Sequence, residues 1–261
     1  MKWILINSGS HTGRYNMDFD IFLSQNCPED QAYFRIYQWE PYTISIGANQ
    51  SFDEIDLDRA RQDNIDVVKR PSGGRAILHA EELTYSVILP IKFGLSAHEI
   101  YNKTSIALSK GLGVFDAKLK PAEIENDQPN FRALLNQPSG SLCFASTAKS
   151  EVKFNGKKII GSAQRKMNNS ILQHGSILCG KFHSNLPYYL ADQSSSEILV
   201  EELGIRATEI STITNRSVNY FELSQSIVSA FETEWDMIFD QDSTPIVSKF
   251  EKSGLLIHEN V

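Results

Sequence analysis

EVKFNGKKIIGSAQRKMNNSILQHGSIL, residues 151–178, is the stretch that decides the fold. Asn155-Gly156 sits between two runs of alternating apolar character. A type I′ turn needs positive φ at both central positions, and an Asn-Gly pair supplies it at little cost. Asn168-Asn169 marks a second turn. Glu151–Phe154, Lys157–Lys166 and Ser170–Leu178 therefore read as a three-strand meander. Lys158 stands at the start of the middle strand, followed by Gly161-Ser162-Ala163, small residues that allow a ligand or another chain to approach closely. Taken alone, a lysine in that position reads as a solvated residue on a sheet edge.

Outward from the meander, Trp3–Ile6 reads as a strand and Ser8–Gly13 as turn-rich. Asn16–Leu23 reads as a helix, with Asp18 and Asp20 suited to its N-terminus. Tyr33–Trp39 and Tyr42–Ile46 read as paired strands broken at Glu40-Pro41, Asp53–Asp63 as a helix, and Ile65–Lys69 as a strand. Ala76–Leu78 and Leu83–Leu89 are further strands. Ala97–Leu112 has helical spacing with Gly113 after it, and Pro121–Gly140 reads as a mobile loop. Leu186–Leu190 and Ser196–Leu203 give short helices. A last long helix opens on Asn219 with Glu222 as a capping box and runs to about Asp236. Strands and helices mixed without regular βαβ alternation predict an α+β protein, with mixed and antiparallel sheets flanked by helices.

The 261 residues fit one domain with a sizeable core, 1–261, and 41% hydrophobic and 22% charged residues are those of a soluble globule. A net charge of −7 without a basic stripe argues against a nucleic-acid partner. Cys27, Cys143 and Cys179 are odd in number and lack CxxC spacing, so neither a disulfide framework nor a metal site is expected. The start has four apolar residues in a row, too few for a signal peptide, and no run reaches the ~18 of a membrane span. A cytoplasmic protein is expected.

Three places hold residue types that do chemistry. Arg70-Pro71-Ser72-Gly73-Gly74-Arg75 is a glycine-rich turn flanked by arginines, in which backbone N–H groups can converge on an anion or a polarised carbonyl. It lacks P-loop spacing, and a plain hairpin loop remains an alternative. His79 lies one short strand beyond it. Cys143, in Leu142-Cys143-Phe144, emerges ahead of the lysine hairpin, whereas Cys27 and Cys179 read as small buried hydrophobes. A cation such as Lys158 near Cys143 would lower the thiol pKa from about 8.5 and raise the thiolate fraction at pH 7 by up to about thirtyfold.

Together, RPSGGRAILHAEELTYS (70–86), Cys143-Phe144, GKKIIGSAQ (156–164) and QHGSIL (173–178) resemble the octanoyltransferase branch of the lipoate–protein ligase and biotin–protein ligase superfamily. Asn16-Met17 with Asp20 and Ser45–Gln50 match weaker motifs in the same order, although Ile21 stands where that family usually carries an acidic residue, and no proline follows Cys143-Phe144. The resemblance implies the superfamily's catalytic-domain fold without an accessory C-terminal domain. It also implies transfer of octanoyl from the phosphopantetheine of acyl carrier protein to a lysine of a lipoyl domain, such as glycine cleavage H protein or the E2 of a 2-oxoacid dehydrogenase. By position, Cys143 would be the nucleophile and Lys158 the activating residue. Arg70, Ser72, Gly73, Gly74, Arg75 and His79 would bind substrate, and Gly161, Ser162 and Ala163 would border the acyl tunnel. No resident cofactor or metal is implied.

Two rivals share the motifs. An ATP-dependent lipoate ligase would use Lys158 on an acyl-adenylate. It has no use for a thiolate, and it typically carries a third glycine where this chain has Arg75. A transferase that moves octanoyl between lipoyl domains differs only in its donor.

Overall fold

A computed structural model describes residues 1–124 and 151–254. Its meander is the one the Asn-Gly pair predicts. β8 (Val152–Phe154), β9 (Lys157–Lys166) and β10 (Ser170–Leu178) are antiparallel neighbours. Asn155 and Gly156 take φ of 49° and 76° at the turn.

The meander supplies three strands of a seven-stranded sheet. The other strands are β1 (Lys2–His11), β2 (Gln31–Trp39), β6 (Glu82–Pro90) and β7 (Glu123–Ile124), in the order β1-β2-β6-β10-β9-β8-β7. β1 and β2 run parallel; β2–β6, β6–β10 and the strands beyond are antiparallel. A second sheet has β3 (Thr43–Ile46) between β4 (Asp66–Lys69), parallel to it, and β5 (Ile77–His79), antiparallel. The α+β expectation with mixed sheets holds.

The faces of the large sheet are covered differently. On one, α3 (Ala97–Phe115) packs beside the last long helix, and Leu108, Leu112, Ile227 and Phe231 bury against Phe34, Tyr85 and Ile177. The two helices touch at Gly111, where a Cβ would stand 2.6 Å from the Ile227 side chain. The other face carries α1 (Gly13–Gln25), with Phe19, Phe22 and Leu23 against Ile4, Ile6, Tyr33 and Phe250. Beside α1 lies the small sheet, whose own core includes Ile44, Ile46, Leu186 and Leu203. β6 is buried along all nine residues because both of its faces are covered.

Several sequence expectations need correction. The strands broken at Glu40-Pro41 belong to different sheets and do not pair. Ser8–His11 continues β1 past a bulge at Asn7–Gly9, because Gly9, Ser10 and His11 pair with Tyr37, Gln38 and Trp39. Asp18 and Asp20 do not serve the helix N-terminus. Thr12 caps α1, and Asp20 turns inward to a buried arginine. Residues 53–63 split into a 3-10 turn, Phe52–Glu54, and α2 (Leu57–Gln62), each with its own N-cap, Ser51 and Asp56. Gly113 lies within α3 rather than after it. Asn219 does cap the last long helix (Tyr220–Trp235), accepting from the backbone of Phe221 and Glu222.

Candidate active site

β4 and β5 lie on opposite sides of β3, so the glycine-rich turn joining them is not a hairpin. It folds around Arg70. One guanidinium nitrogen donates to the Ser45 carbonyl (2.9 Å), and the other to the carbonyls of Gly73 (2.9 Å) and Arg75 (2.7 Å). Gly74 adopts φ of +95°, open to glycine. Gly47 must also be glycine, since a Cβ there would stand 2.0 Å from the Gly74 carbonyl oxygen.

Between the two sheets lies a narrow, mainly apolar pocket lined by residues of both. Met17, Tyr37, Trp39 and Ile77 give it an apolar lining, and Gly161, Ser162, Ala163 and Gly175 bring two strand backbones to its wall. Small residues are required there: a Cβ on Gly175 would lie 2.4 Å from the Gly161 carbonyl oxygen and 2.9 Å from Tyr85.

Two buried chains of carboxylate, imidazole and hydroxyl flank it. Glu82 meets His79 Nδ1 at 2.8 Å, and His79 Nε2 lies 2.7 Å from Ser45 Oγ, with the imidazole stacked on Trp39. The imidazole thus bridges the carboxylate and the Ser45 hydroxyl through its two ring nitrogens. Burial works against the Glu82 carboxylate. His79, then Thr84 and Ser176, nevertheless hold it below the usual carboxylate range. In the second chain, Asp20 Oδ2 lies 3.5 Å from His174 Nδ1, and His174 Nε2 is hydrogen-bonded to Ser72 Oγ. Burial pushes the His174 pKa down. It works against the Asp20 carboxylate as well, yet Arg35, followed by His174, keeps that group low.

Asp20 has a further duty. Arg35, fully buried, donates to Asp20 (2.8 Å), to the Asn16 side chain (2.6 Å) and to Ser8 (2.9 Å), and lies over the Tyr37 ring. The Asn16/Asp20 pair thus clamps α1 to β2, and that clamp sets Met17 into the cavity.

Lys158 is not an edge residue. It is 1% exposed, and its ammonium lies 2.7 Å from Glu151 Oε1. Thr208 N–H donates to its carbonyl, so the segment after α4 (Ser196–Arg206) covers the strand where β10 has ended. A β-bulge decides where the side chain goes. Lys153 pairs with Lys158 but Val152 with Ile160, which leaves Ile159 as an extra residue. Ile159 and Ile160 both enter the core beneath α3. Strand alternation then places Lys158 on the same sheet face as Gly161 and Ala163, although Lys158 itself is not among the residues lining the pocket.

Of the residues expected at the site, Arg70, His79, Gly161, Ser162 and Ala163 line the cavity, and Ser72 reaches it through His174. Gly73 and Gly74 shape the turn. Arg75 is directed elsewhere, with a guanidinium nitrogen 3.6 Å from Glu54 at the surface. Cys143 lies outside the described residues. Met17, Tyr37, Trp39, Ser45, Glu151, His174 and Ser176 were given no site role from sequence. The QHGS run holding His174 and Ser176, and the weaker Asn16-Met17 and Ser45–Gln50 motifs, are the sequence signals that point to four of them.

Residues 12–232 match the lipoyl protein ligase A/B catalytic domain family, so the chain belongs to that family. It is 34% identical to octanoyltransferase LipM of Clostridioides difficile (strain 630) over 91% of this chain and 89% of the relative. It is 31% identical to octanoyltransferase LipM of Macrococcus caseolyticus (strain JCSC5402) over 90% and 88%. The fold is similar to a crystal structure of lipoate-protein ligase A bound with ATP, with a TM-score of 0.75, 18% identity and coverage of 98% and 94%. It is also similar to a bi-partite lipoate protein ligase from Thermoplasma acidophilum, with a TM-score of 0.76, 18% identity and coverage of 98% and 92%.

Proposed function

We propose that this member of the lipoyl protein ligase A/B catalytic domain family is an octanoyltransferase of lipoate assembly. Octanoyl passes from acyl carrier protein to Cys143 as a thioester and from there to a lysine of a lipoyl domain. The supporting observation is the placement of Lys158. It is buried and charge-paired, and it sits about 10 Å of strand before an apolar cavity walled by Gly161, Ser162 and Ala163. The family relatives named octanoyltransferase accord with that reading.

The chemistry needs no nucleotide, because the donor is already a thioester. The Cys143 thiolate adds to the carbonyl carbon, and the carrier's phosphopantetheine leaves as a thiolate. The neutral amine of the acceptor lysine then bonds to the same carbon, the carbon–sulfur bond to Cys143 breaks, and the amine's proton goes to the departing sulfur. Burying about seven methylenes at ~0.8 kcal/mol each contributes roughly 5–6 kcal/mol to holding the chain. The acceptor amine is neutral in only about one molecule in 2,500 at pH 7, a cost of roughly 4–5 kcal/mol. The dry wall and the Lys158 ammonium both work against a second ammonium beside them.

Intact-mass analysis after mixing with octanoyl-acyl carrier protein, without nucleotide, tests the reading. A +octanoyl adduct removed by hydroxylamine, and absent as a thioester in Cys143→Ser, is expected. Transfer to a lipoyl domain that demands ATP and survives Cys143→Ala would make the chain a ligase instead.

A further inference from the structure

Glu151 precedes β8 and holds the one carboxylate at ion-pair distance from Lys158 among the described contacts, 2.7 Å away, with both side chains buried. Withdrawing two charges from water costs free energy that their attraction barely returns, so a buried pair is poor evidence of a stabilising device. Two neighbouring features tie this one to the site. The bulge at Ile159 turns Lys158 to the cavity face. The carboxylate also lies within electrostatic reach of Tyr85, whose hydroxyl is 2.7 Å from Ser162 of the cavity wall. Burial raises the Tyr85 pKa to about 12, and the Glu151 charge adds to the rise.

We infer that Glu151 is a positioning residue of the acyl transfer, holding the Lys158 ammonium inside the protein and directed at the cavity face until a thioester carbonyl reaches it. This rests on the octanoyl-transfer reading. As the acceptor amine bonds to the carbonyl carbon, negative charge gathers on the carbonyl oxygen, and an ammonium already dehydrated stabilises it without further reorganisation. The carbon–sulfur bond then breaks with its electron pair on sulfur, which takes the amine's proton. Glu151 and Lys158 gain and lose none.

The test compares wild type with Glu151→Gln, Glu151→Asp, Lys158→Met and the Glu151→Gln/Lys158→Met double variant. One arm measures steady-state octanoyl transfer between carrier domains. The other is a brief pulse of an N-hydroxysuccinimidyl acetate probe at pH 7, with acetylation of Lys158 read by peptide mass spectrometry. Glu151→Gln is expected to lower kcat 10- to 100-fold with KM within twofold, while Glu151→Asp recovers at least a third of wild-type kcat. On the Lys158→Met background Glu151→Gln changes the rate less than twofold. Lys158 in Glu151→Gln, without its carboxylate, is acetylated at least fivefold faster than in wild type. Wild-type kcat in a folded Glu151→Gln, multiplying effects in the double variant, or unchanged Lys158 acetylation would each overturn the inference. A wild-type chain that moves no octanoyl fails the functional reading itself, a pattern distinct from an active wild type beside an equally active Glu151→Gln.

Discussion

Gly175→Ala probes the wall that β9 and β10 build together. The new methyl carbon would stand 2.4 Å from the Gly161 carbonyl oxygen, 2.9 Å from Ser162 Oγ and 2.9 Å from a Tyr85 ring carbon. The nearest of these is backbone, held in register because Ser162 faces Gly175 and Gly161 faces Ser176. It cannot rotate aside as a side chain would, so the strands must part by several tenths of an ångström. Overpacking of this kind costs about 1–3 kcal/mol. Displacing Ser162 also strains its 2.7 Å hydrogen bond to Tyr85, worth about 1 kcal/mol. The sum is about 2–4 kcal/mol, or a fall in Tm of roughly 5–15 °C for a chain of this size. Urea unfolding followed by circular dichroism measures it. Gly73→Ala is the internal control, because a Cβ there meets nothing within 4 Å and the change should stay within about 0.5 kcal/mol. If Gly175→Ala proves as harmless as Gly73→Ala, the close approach of the two strands is wrong.

Asp20→Asn removes the charge that answers fully buried Arg35 and should cost about 3–5 kcal/mol in urea melts; less than 1 would mean that Asn16 and Ser8 suffice. Lys158→Met should destabilise the chain by removing the cation beside the buried Glu151 carboxylate, with part of the loss regained in Glu151→Gln/Lys158→Met; a double variant no steadier than the single one would refute a formed pair. Lys158→Ala should slow octanoyl transfer at least a hundredfold in a chain whose circular dichroism is native, and unchanged turnover would remove its role. Stability should fall as pH drops below about 6.5, the ordinary histidine value. The folded pKa of His174 is depressed, so the unfolded chain binds the proton first and stability rises with pH through that window. Below the carboxylate range it should fall again as Asp20 and Glu82, both held low when folded, take up protons. A melting temperature flat from pH 7 to 5 in wild type, or still falling equally in His174→Gln, would contradict the first assignment.

Much of the scaffold was legible because it rests on local rules. Asn155-Gly156 has one comfortable turn, and the alternation on either side of it gives strands whose ends agree with the structure to within a residue. Asn219 announces the last long helix for the same reason, since a side-chain oxygen there answers orphan N–H groups. What failed was non-local. Strands joined by a short turn ordinarily pair, yet β2 and β3 separate into two sheets, and nothing in Glu40-Pro41 says so. Asp20 looked like a helix-terminal acid because its partner, Arg35, lies 15 residues away on a strand whose orientation only packing sets.

The sequence by itself determined that a lysine, a run of small residues and a glycine-rich turn exist in this order, and that their family is that of lipoyl protein ligases. Only the tertiary structure decided which way the lysine points. Simple alternation puts Lys158 on the face of Ile160 and Ser162, opposite Gly161. One extra residue, Ile159, reverses that, because a bulge lets two neighbouring isoleucines enter the same core while the strand keeps its hydrogen bonds to β8. A pattern of side chains carries no mark of such a bulge, since its position depends on how the partner strand and the helices beneath are packed.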